Sequence, residues 1–240
     1  MQRWQVVARS WARRIGIDRP LRRLLSRRRQ TERDNERAAV FESVRPGDLV
    51  WDVGANCGGY SIQLAKAIGD AGTVWAFEPA PDACEIMTRR LAEEGISNVE
   101  VVCTALGDRT ANVTMELASV PGGFLLDPPT GPGTATHNPV GKNPTTVEVL
   151  MTSGDAYRAD NGLPVPQFLK IDVEGFEVEV LKGLHETLRN QQCRAVMCEV
   201  HFARLEARGS LYGPMAVQTL LRDAGFSTKW VGASHVFGTK

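Results

Sequence analysis

The fold is decided by the stretch LVWDVGANCGGY at residues 49–60. Its first part, Leu49–Val53, is a short apolar run interrupted only by Asp52, which suits a strand covered on both faces of a parallel sheet. In the turn that follows, Gly54 permits a tight change of direction and Gly58 lets a ligand approach the backbone. A helical pattern comes next, so the stretch predicts a strand–turn–helix unit with a ligand site at the turn.

Asn56 occupies a position where many nucleotide-binding loops have glycine, and asparagine adopts positive φ more readily than most residues. Gly54, Asn56 and Gly59 therefore follow the G-x-G-x-x-G spacing of dinucleotide enzymes imperfectly. The alternative to a ligand loop is a purely structural β–α turn.

Similar apolar runs recur along the chain, and helical patterns separate most of them. The further predicted strands are Thr73–Phe77, Asn98–Cys103, Phe168–Val173, Ala195–Val200, Ser227–Val231 and Ser234–Phe237; the predicted helices are Ser61–Ile68, Pro81–Glu94, Phe176–Arg189 and one beginning at Pro214. This alternation predicts a doubly wound α/β domain with a mostly parallel sheet.

We assign residues 1–44 to a basic helical N-terminal extension and residues 45–240 to the α/β domain. The whole chain has zero net charge, whereas residues 1–45 contain 13 Arg against 5 acidic residues, a net charge of +8. A helix at residues 3–17 that packs on the domain is favoured. The alternatives are a membrane-surface helix, a clamp for a phosphorylated substrate and a tether to nucleic acid.

Residues 119–146 are rich in Gly, Pro, Thr and Asn and are too long for an ordinary connection. They predict a flexible loop or a lid over a substrate. The flanking segments Val113–Leu117 and Val147–Met151 are expected to pair as strands.

The overall composition is that of a globular protein, with 42% apolar and 23% charged residues. The five cysteines include no C-x-x-C pair, so neither a disulfide framework nor a cysteine zinc site is expected. Because no apolar run reaches the length of a membrane span, we expect a cytoplasmic protein whose contact with a membrane, if it makes one, is peripheral and through the basic N-terminus.

Four acidic residues fall at the carboxyl ends of four predicted strands. They are Asp52, Glu78, Asp172 and Glu199. In open parallel sheets ligands bind outside these strand ends, so the four carboxylates predict one crevice. Glu78 suits hydrogen bonds from both ribose hydroxyls of an adenosine ligand, without distinguishing a nicotinamide cofactor from S-adenosylmethionine.

Two further patterns place charged and imidazole side chains at the same edge of the predicted sheet. Lys170, Asp172 and Glu174 alternate along one predicted strand, and Glu199 and His201 alternate along another. If these strands are neighbours, the side chains form an acid–base site or a site for a divalent cation. The alternative is a structural salt-bridge network. The other histidines, His235 among them, have no such company in the sequence.

At this point the sequence resembles the FkbM family of methyltransferases. The matching segments, in order from about Arg45 to His201, are Asp52-Val53-Gly54-Ala55-Asn56 with Gly58 and Tyr60-Ser61, then Phe77-Glu78-Pro79, Ala105-Leu106-Gly107-Asp108, Lys170-Ile171-Asp172-Val173-Glu174-Gly175 with Glu177, and Glu199-Val200-His201. Neither residues 1–44 nor the loop at 119–146 is covered by a specific match.

The resemblance implies a class I methyltransferase with a seven-stranded, Rossmann-like sheet and S-adenosylmethionine as cofactor. It assigns the methionine end of the cofactor to Asp52, Gly54, Asn56, Gly58, Tyr60 and Ser61, the ribose to Glu78 with Pro79, and the adenine edge to Ala105, Leu106 and Asp108. Members of this family typically O-methylate sugars or natural products, so the expected partner is a small-molecule, sugar or glycolipid acceptor and not a nucleic acid.

Methyl transfer to an alcohol needs a base for the hydroxyl proton, and His201 is the first candidate because an imidazole titrates near neutrality. Asp172 is the second candidate. Glu199 is expected to orient His201, and Lys170 to offset the local negative charge. The alternatives from other classes are a nicotinamide-dependent oxidoreductase and a non-catalytic module that binds S-adenosylmethionine.

Overall fold

The computed structural model describes residue 31 and residues 34–116, 146–209 and 213–240. The strands in these ranges are β1 (Leu49–Val53), β2 (Thr73–Phe77), β3 (Val99–Val102), β4 (Ala105–Gly107), β5 (Ala111–Glu116), β6 (Thr146–Ser153), β7 (Phe168–Ile171), β8 (Ala195–Glu199), β9 (Ser227–Trp230) and β10 (His235–Thr239). The helices are α1 (34–43), α2 (Gly59–Ile68), α3 (Pro81–Glu93), α4 (Gly154–Asp160), α5 (Glu177–Gly183), α6 (His185–Arg189), α7 (Phe202–Ala207) and α8 (Gly213–Asp223).

The central sheet has seven strands in the order β3-β2-β1-β7-β8-β10-β9. All neighbours are parallel except β10, which is antiparallel to β8 and to β9. The order reverses between β1 and β7, and the crevice beside such a reversal is where open α/β sheets bind ligands. The predicted doubly wound, mostly parallel sheet is confirmed.

A smaller sheet is formed by β4, β6 and β5 in that order. The expected pairing of the segments on either side of residues 119–146 is confirmed, because β5 and β6 are antiparallel with Met115 opposite Val147. The three-residue strand β4 was not predicted. Residues 117–145 lie outside the described part of the chain, so the lid stays a prediction.

Two helical expectations change in detail. The predicted helix Phe176–Arg189 is two helices, α5 and α6, separated at Leu184, whose φ of −108° and ψ of 17° are not helical. The short helix α4 was not predicted, although Ser153 caps it by accepting a hydrogen bond from the Ala156 N–H.

Helix α1 is part of the packed structure. Val40 and Val44 are buried in one apolar cluster with Val50 of β1 and Leu64 of α2. The predicted helix at residues 3–17 and most of the basic residues lie outside the described ranges, so membrane contact through them stays a prediction. Within those ranges no helix is long and apolar enough to cross a membrane.

Three aromatic side chains of the main core meet where α4 packs on the sheet. The ring centroids of Trp51 and Phe77 are 4.8 Å apart, and Tyr157 of α4 packs edge-on against both rings.

Two of the five cysteines form a disulfide. Cys84 lies on α3 and Cys103 directly follows β3, and their Cα atoms are 6.2 Å apart. The expectation that the cysteines form no disulfide framework is wrong for these two, which lie on separate elements that only the fold brings together.

The contact between α5 and the smaller sheet generates a stability prediction. A Cβ atom added at Gly183 would collide with the backbone carbonyl oxygen of Gly107, whereas one added at Gly59 would meet no heavy atom within 4 Å. We expect Gly183→Ala to lower the free energy of unfolding by about 1–3 kcal/mol, because backbone must move. The matched variant Gly59→Ala should leave it unchanged or slightly raised, since alanine favours helix. Urea unfolding checks both, and equal stability of the two variants would contradict the packing described here.

Candidate cofactor and acid–base site

The turn after β1 packs against the backbone of Asp172, the residue that directly follows β7. Gly54 has a φ of +80°, and a Cβ atom there would collide with the carbonyl oxygen of Asp172. Only glycine satisfies both constraints. Asn56 and Gly58 also have left-handed φ values, of 51° and 79°. The prediction that asparagine replaces a glycine in a left-handed position is confirmed.

Asp52 is fully buried at the switch point of the sheet. Its Oδ2 accepts a hydrogen bond of 2.7 Å from the Ser61 hydroxyl, and its Oδ1 lies 3.3 Å from Lys170 Nζ. Burial lowers the pKa of Lys170, but the charges of Asp52 and Asp172 outweigh this and raise it. Lys170 is therefore a permanent cation that joins β1 to β7. Its ammonium also lies 4.9 Å from the centre of the Tyr60 ring.

Glu78 follows β2 and is held between two backbone amides. Its Oε2 accepts a hydrogen bond of 2.9 Å from the Asn56 N–H, and its Oε1 accepts one of 2.9 Å from the Ala80 N–H. Burial raises the pKa of Glu78, and this effect is larger than that of the two hydrogen bonds, which lower it. Each oxygen keeps a second lone pair, so the carboxylate is fixed and has acceptor capacity for ribose hydroxyls. Pro79 directly follows it and precedes α3.

The predicted adenine-edge residues lie on and just after β4. Leu106 is buried in the main core, Ala105 begins the strand, and Asp108 pairs with Arg109 at 2.9 Å. The small sheet thus fixes this segment next to the end of β3. The assignment of these three residues to adenine stays a prediction.

The second part of the site surrounds His201, just after β8. Its Nε2 lies 3.5 Å from Glu174 Oε2 and 3.7 Å from Asp172 Oδ1. Glu199 Oε1 is 4.0 Å from the same nitrogen. The structure therefore brings together the predicted residues Asp172, Glu199 and His201, and Lys170 Nζ lies 3.4 Å from Asp172 Oδ2.

The hydrogen-bond partner of His201 is Glu177, whereas Glu199, the predicted orienting residue, is 4.0 Å from Nε2. The His201 Nδ1 lies 2.7 Å from Glu177 Oε1, which also accepts a hydrogen bond from the Gly175 N–H. Glu177 is fully buried in the first turn of α5, so this contact fixes the imidazole. The sequence signal was the motif Asp172-Val173-Glu174-Gly175-Phe176-Glu177 itself. β7 ends at Ile171, and the turn after it, not a continuing strand, carries these acids.

The charge state of His201 follows from its surroundings. Burial lowers its pKa, but the hydrogen bond to Glu177 and the charges of Glu174, Asp172 and Glu199 outweigh burial and raise it to about 9. The imidazole is thus cationic at neutral pH in the absence of a ligand, and it offsets part of the surrounding negative charge.

His235 belongs to the same network, contrary to the expectation that it has no polar company. Antiparallel pairing places it opposite Glu199, and its Nε2 lies 3.3 Å from Glu199 Oε2 and 3.3 Å from Glu36 Oε1 of α1. Glu36 also accepts a hydrogen bond of 2.8 Å from the Tyr60 hydroxyl. Burial raises the pKa of Glu199, but the contact with His235 and the two imidazole charges outweigh it and lower it to about 2.

The same cluster offers donors for a cation. Asp172, Glu199 and His201 each present one ligand atom, and these atoms lie within 4.8 Å of one another. A mixed set of imidazole and carboxylate groups suits several divalent ions.

The geometry agrees with what comparison with known proteins finds. The FkbM methyltransferase domain matches residues 52–228. The chain belongs to the FkbM methyltransferase family. It is therefore an enzyme that uses S-adenosylmethionine. The residues present fit that cofactor, because the turn after β1 has left-handed backbone at Gly54, Asn56 and Gly58 and binds the carboxylate of Glu78 through the Asn56 N–H. Neither the oxidoreductase nor the non-catalytic alternative gains support.

Individual relatives agree with the family. The chain is 29% identical over 195 residues to the hexuronic acid methyltransferase AglP of Haloferax volcanii, covering 79% of this chain and 68% of that protein. It is 31% identical over 159 residues to the methyltransferase sdnD of Sordaria araneosa, covering 58% of this chain and 61% of that one. The crystal structure of an FkbM methyltransferase from Methylobacillus flagellatus has a TM-score of 0.54 at 14% identity, covering 81% of this chain and 44% of that one.

The role of Glu78 generates a binding prediction for this FkbM-family methyltransferase. We expect Glu78→Gln to weaken binding of S-adenosylhomocysteine about 10- to 100-fold, because hydrogen bonds to a charged group contribute roughly 1.5–3 kcal/mol. Isothermal titration calorimetry measures the loss, with NAD as a ligand control. The exposed Glu85 of α3 supplies the matched variant, Glu85→Gln, which should bind like wild type. Equal affinities of both variants would remove Glu78 from the cofactor site.

Proposed function

We propose that this FkbM-family methyltransferase transfers a methyl group to a hydroxyl oxygen of a sugar, either free or attached to a lipid or natural product. The single observation that carries this proposal is the cluster around His201. A hydroxyl proton must be taken up as the new C–O bond forms, and this cluster lies at the strand edge that also carries Glu78. The relative named as a hexuronic acid methyltransferase supports a sugar acceptor.

His201 is the proposed base. Glu177 holds Nδ1, so Nε2 is the ring nitrogen that faces the open carboxylates Asp172 and Glu174. The neutral imidazole accepts the hydroxyl proton at Nε2, and the resulting imidazolium is stabilised by the same carboxylates. Glu177 is a positioning residue, because it acts through His201.

The remaining residues bind and orient. The bound cofactor supplies a methyl group on a cationic sulfur. Glu78 and the turn containing Gly54 and Asn56 would hold it at the switch point. Asp172 offers a carboxylate oxygen that would accept a hydrogen bond from a neighbouring hydroxyl of the sugar, which directs the reacting hydroxyl toward His201. Lys170 fixes Asp172 from the buried side.

A pH profile tests the base. Because the neutral form of His201 is required and its pKa is about 9, the fraction in that form falls as the pH drops. We expect kcat/KM to fall about tenfold per pH unit below this pKa and to level off above it. S-adenosylhomocysteine release with methyl β-D-glucuronide as the acceptor gives the rate. A profile that is flat from neutral to mildly alkaline pH would rule out His201 as the base.

Substitution separates the base from its positioning residue. His201→Gln should reduce kcat about 100- to 10,000-fold with unchanged affinity for S-adenosylhomocysteine, the range typical of losing a general base. Glu177→Gln should retain part of the activity and shift the pH profile to lower pH, because the hydrogen bond to the Glu177 carboxylate, which raises the pKa of His201, is lost. His185→Gln, at an exposed histidine of α6, is the matched control. Unchanged turnover in His201→Gln would rule out this mechanism.

A divalent cation held by Asp172, Glu199 and His201 is the second candidate for activating the hydroxyl. Dialysis against EDTA followed by addition of Mg²⁺, Mn²⁺ or Zn²⁺ distinguishes the two. Full activity after chelation supports the imidazole base. Activity lost on chelation and restored by one ion would replace it with a metal-assisted reaction.

A further inference from the structure

An exposed pair of aromatic rings is carried by the segments next to His201 and His235. Phe202 at the start of α7 and Trp230 at the end of β9 stack with centroids 5.8 Å apart and an interplanar angle of 27°. They are 45% and 40% exposed, although side chains of this size gain most when buried. Nothing in the cofactor site or the proton-transfer site accounts for this pair.

Both rings are tied to the site by the backbone. Phe202 directly follows His201, and Trp230 pairs across the hairpin with Val236, next to His235. The turn of that hairpin is fixed to β8, because the Val200 N–H donates to the Ser234 carbonyl at 2.7 Å. The Ser234 hydroxyl also donates to Glu199 Oε1 at 3.4 Å. The two rings are therefore adjacent to residues of the cluster in the chain and in the sheet register, and we refer to the rings and the carboxylates together as the rim.

The rim combines two kinds of surface. The aromatic pair is a small apolar face, while Asp172, Glu199 and Glu174 are each about a third exposed or less and accept hydrogen bonds. A pyranose ring has the complementary pattern, since one face presents C–H groups and its edge presents several hydroxyls. An extended apolar ligand would leave the carboxylates desolvated without donors, which is unfavourable.

We propose that Phe202 and Trp230 form the acceptor platform, on which a pyranose ring packs with its C–H face while its hydroxyl edge points toward Glu199 and His201. This inference rests on the proposed function for its choice of a sugar as the ligand. It adds a binding site, two specificity-determining side chains and the orientation of the ring.

Two measurements test the platform separately from catalysis. The first is saturation-transfer difference NMR of methyl β-D-glucuronide and methyl β-D-glucoside on the protein loaded with S-adenosylhomocysteine. We expect the strongest transfer to the axial ring protons, and its loss in Trp230→Ala. The second is steady-state methylation of the same sugars. Trp230→Ala and Phe202→Leu should each raise the acceptor KM about five- to tenfold with little change in kcat, the size expected from one aromatic contact.

The controls follow from the structure. Trp230→Phe retains a ring and should recover most of the acceptor affinity. Leu150→Ala removes another large exposed apolar side chain, on β6 of the smaller sheet, and should behave like wild type. Unchanged affinity for S-adenosylhomocysteine shows that each variant is folded.

The outcomes separate the two proposals. Methylation with an unchanged KM in both ring variants overturns the platform and keeps the proposed function. Sugar binding that depends on Trp230, without methylation, supports the platform and overturns the proposed function for these acceptors. If wild type neither binds nor methylates either sugar, both are overturned.

Discussion

The site depends on a buried ion pair between Lys170 and Asp52. These residues are opposite each other in the register of β7 and β1, where the strand order reverses. A buried charge left without its partner is strongly destabilising, so the pair fixes how the two strands meet. Ser61 binds the other Asp52 oxygen and thereby ties the first turns of α2 to the same point. The turn whose Asn56 N–H binds Glu78 begins two residues after Asp52, and the turn that carries Asp172 begins just after Lys170.

The distribution of charge in the His201 cluster bears on both its stability and its reaction. The cations in and around it are Lys170, His201, Arg204 and His235, and the carboxylates are Glu36, Asp52, Asp172, Glu174, Glu177 and Glu199. Even with both imidazoles protonated, these carboxylates outnumber the cations. The residual negative potential favours a cationic sulfur nearby and stabilises an imidazolium after proton transfer. Buried acid–base groups with displaced pKa values are typical of functional sites.

Much of this arrangement follows from local sequence. The apolar runs predict the strands of the main sheet to within one or two residues at most ends, and parallel strands necessarily gather the acids that follow them. The contacts of His235 and Glu36 could not be predicted in this way, because they depend on an antiparallel register and on the docking of α1. The orienting role of Glu177 was missed because β7 ends two residues earlier than its apolar pattern and the chain turns into α5.

The residues before the domain take part in the site. Helix α1 buries Val40 against the sheet and carries Glu36 to the Tyr60 hydroxyl and to His235. Burial, with the charge of Glu36, raises the pKa of Tyr60, so its hydroxyl stays a neutral hydrogen-bond donor. Tyr60 in turn covers Lys170, and Lys170 holds Asp172. A single chain of contacts therefore runs from α1 to Asp172, the carboxylate proposed to orient the sugar. Methyl transfer requires water to be excluded from the reacting groups. Helix α1 contributes to the burial of these groups, because Glu36 lies against His235 at the first residue of β10 and against the Tyr60 hydroxyl.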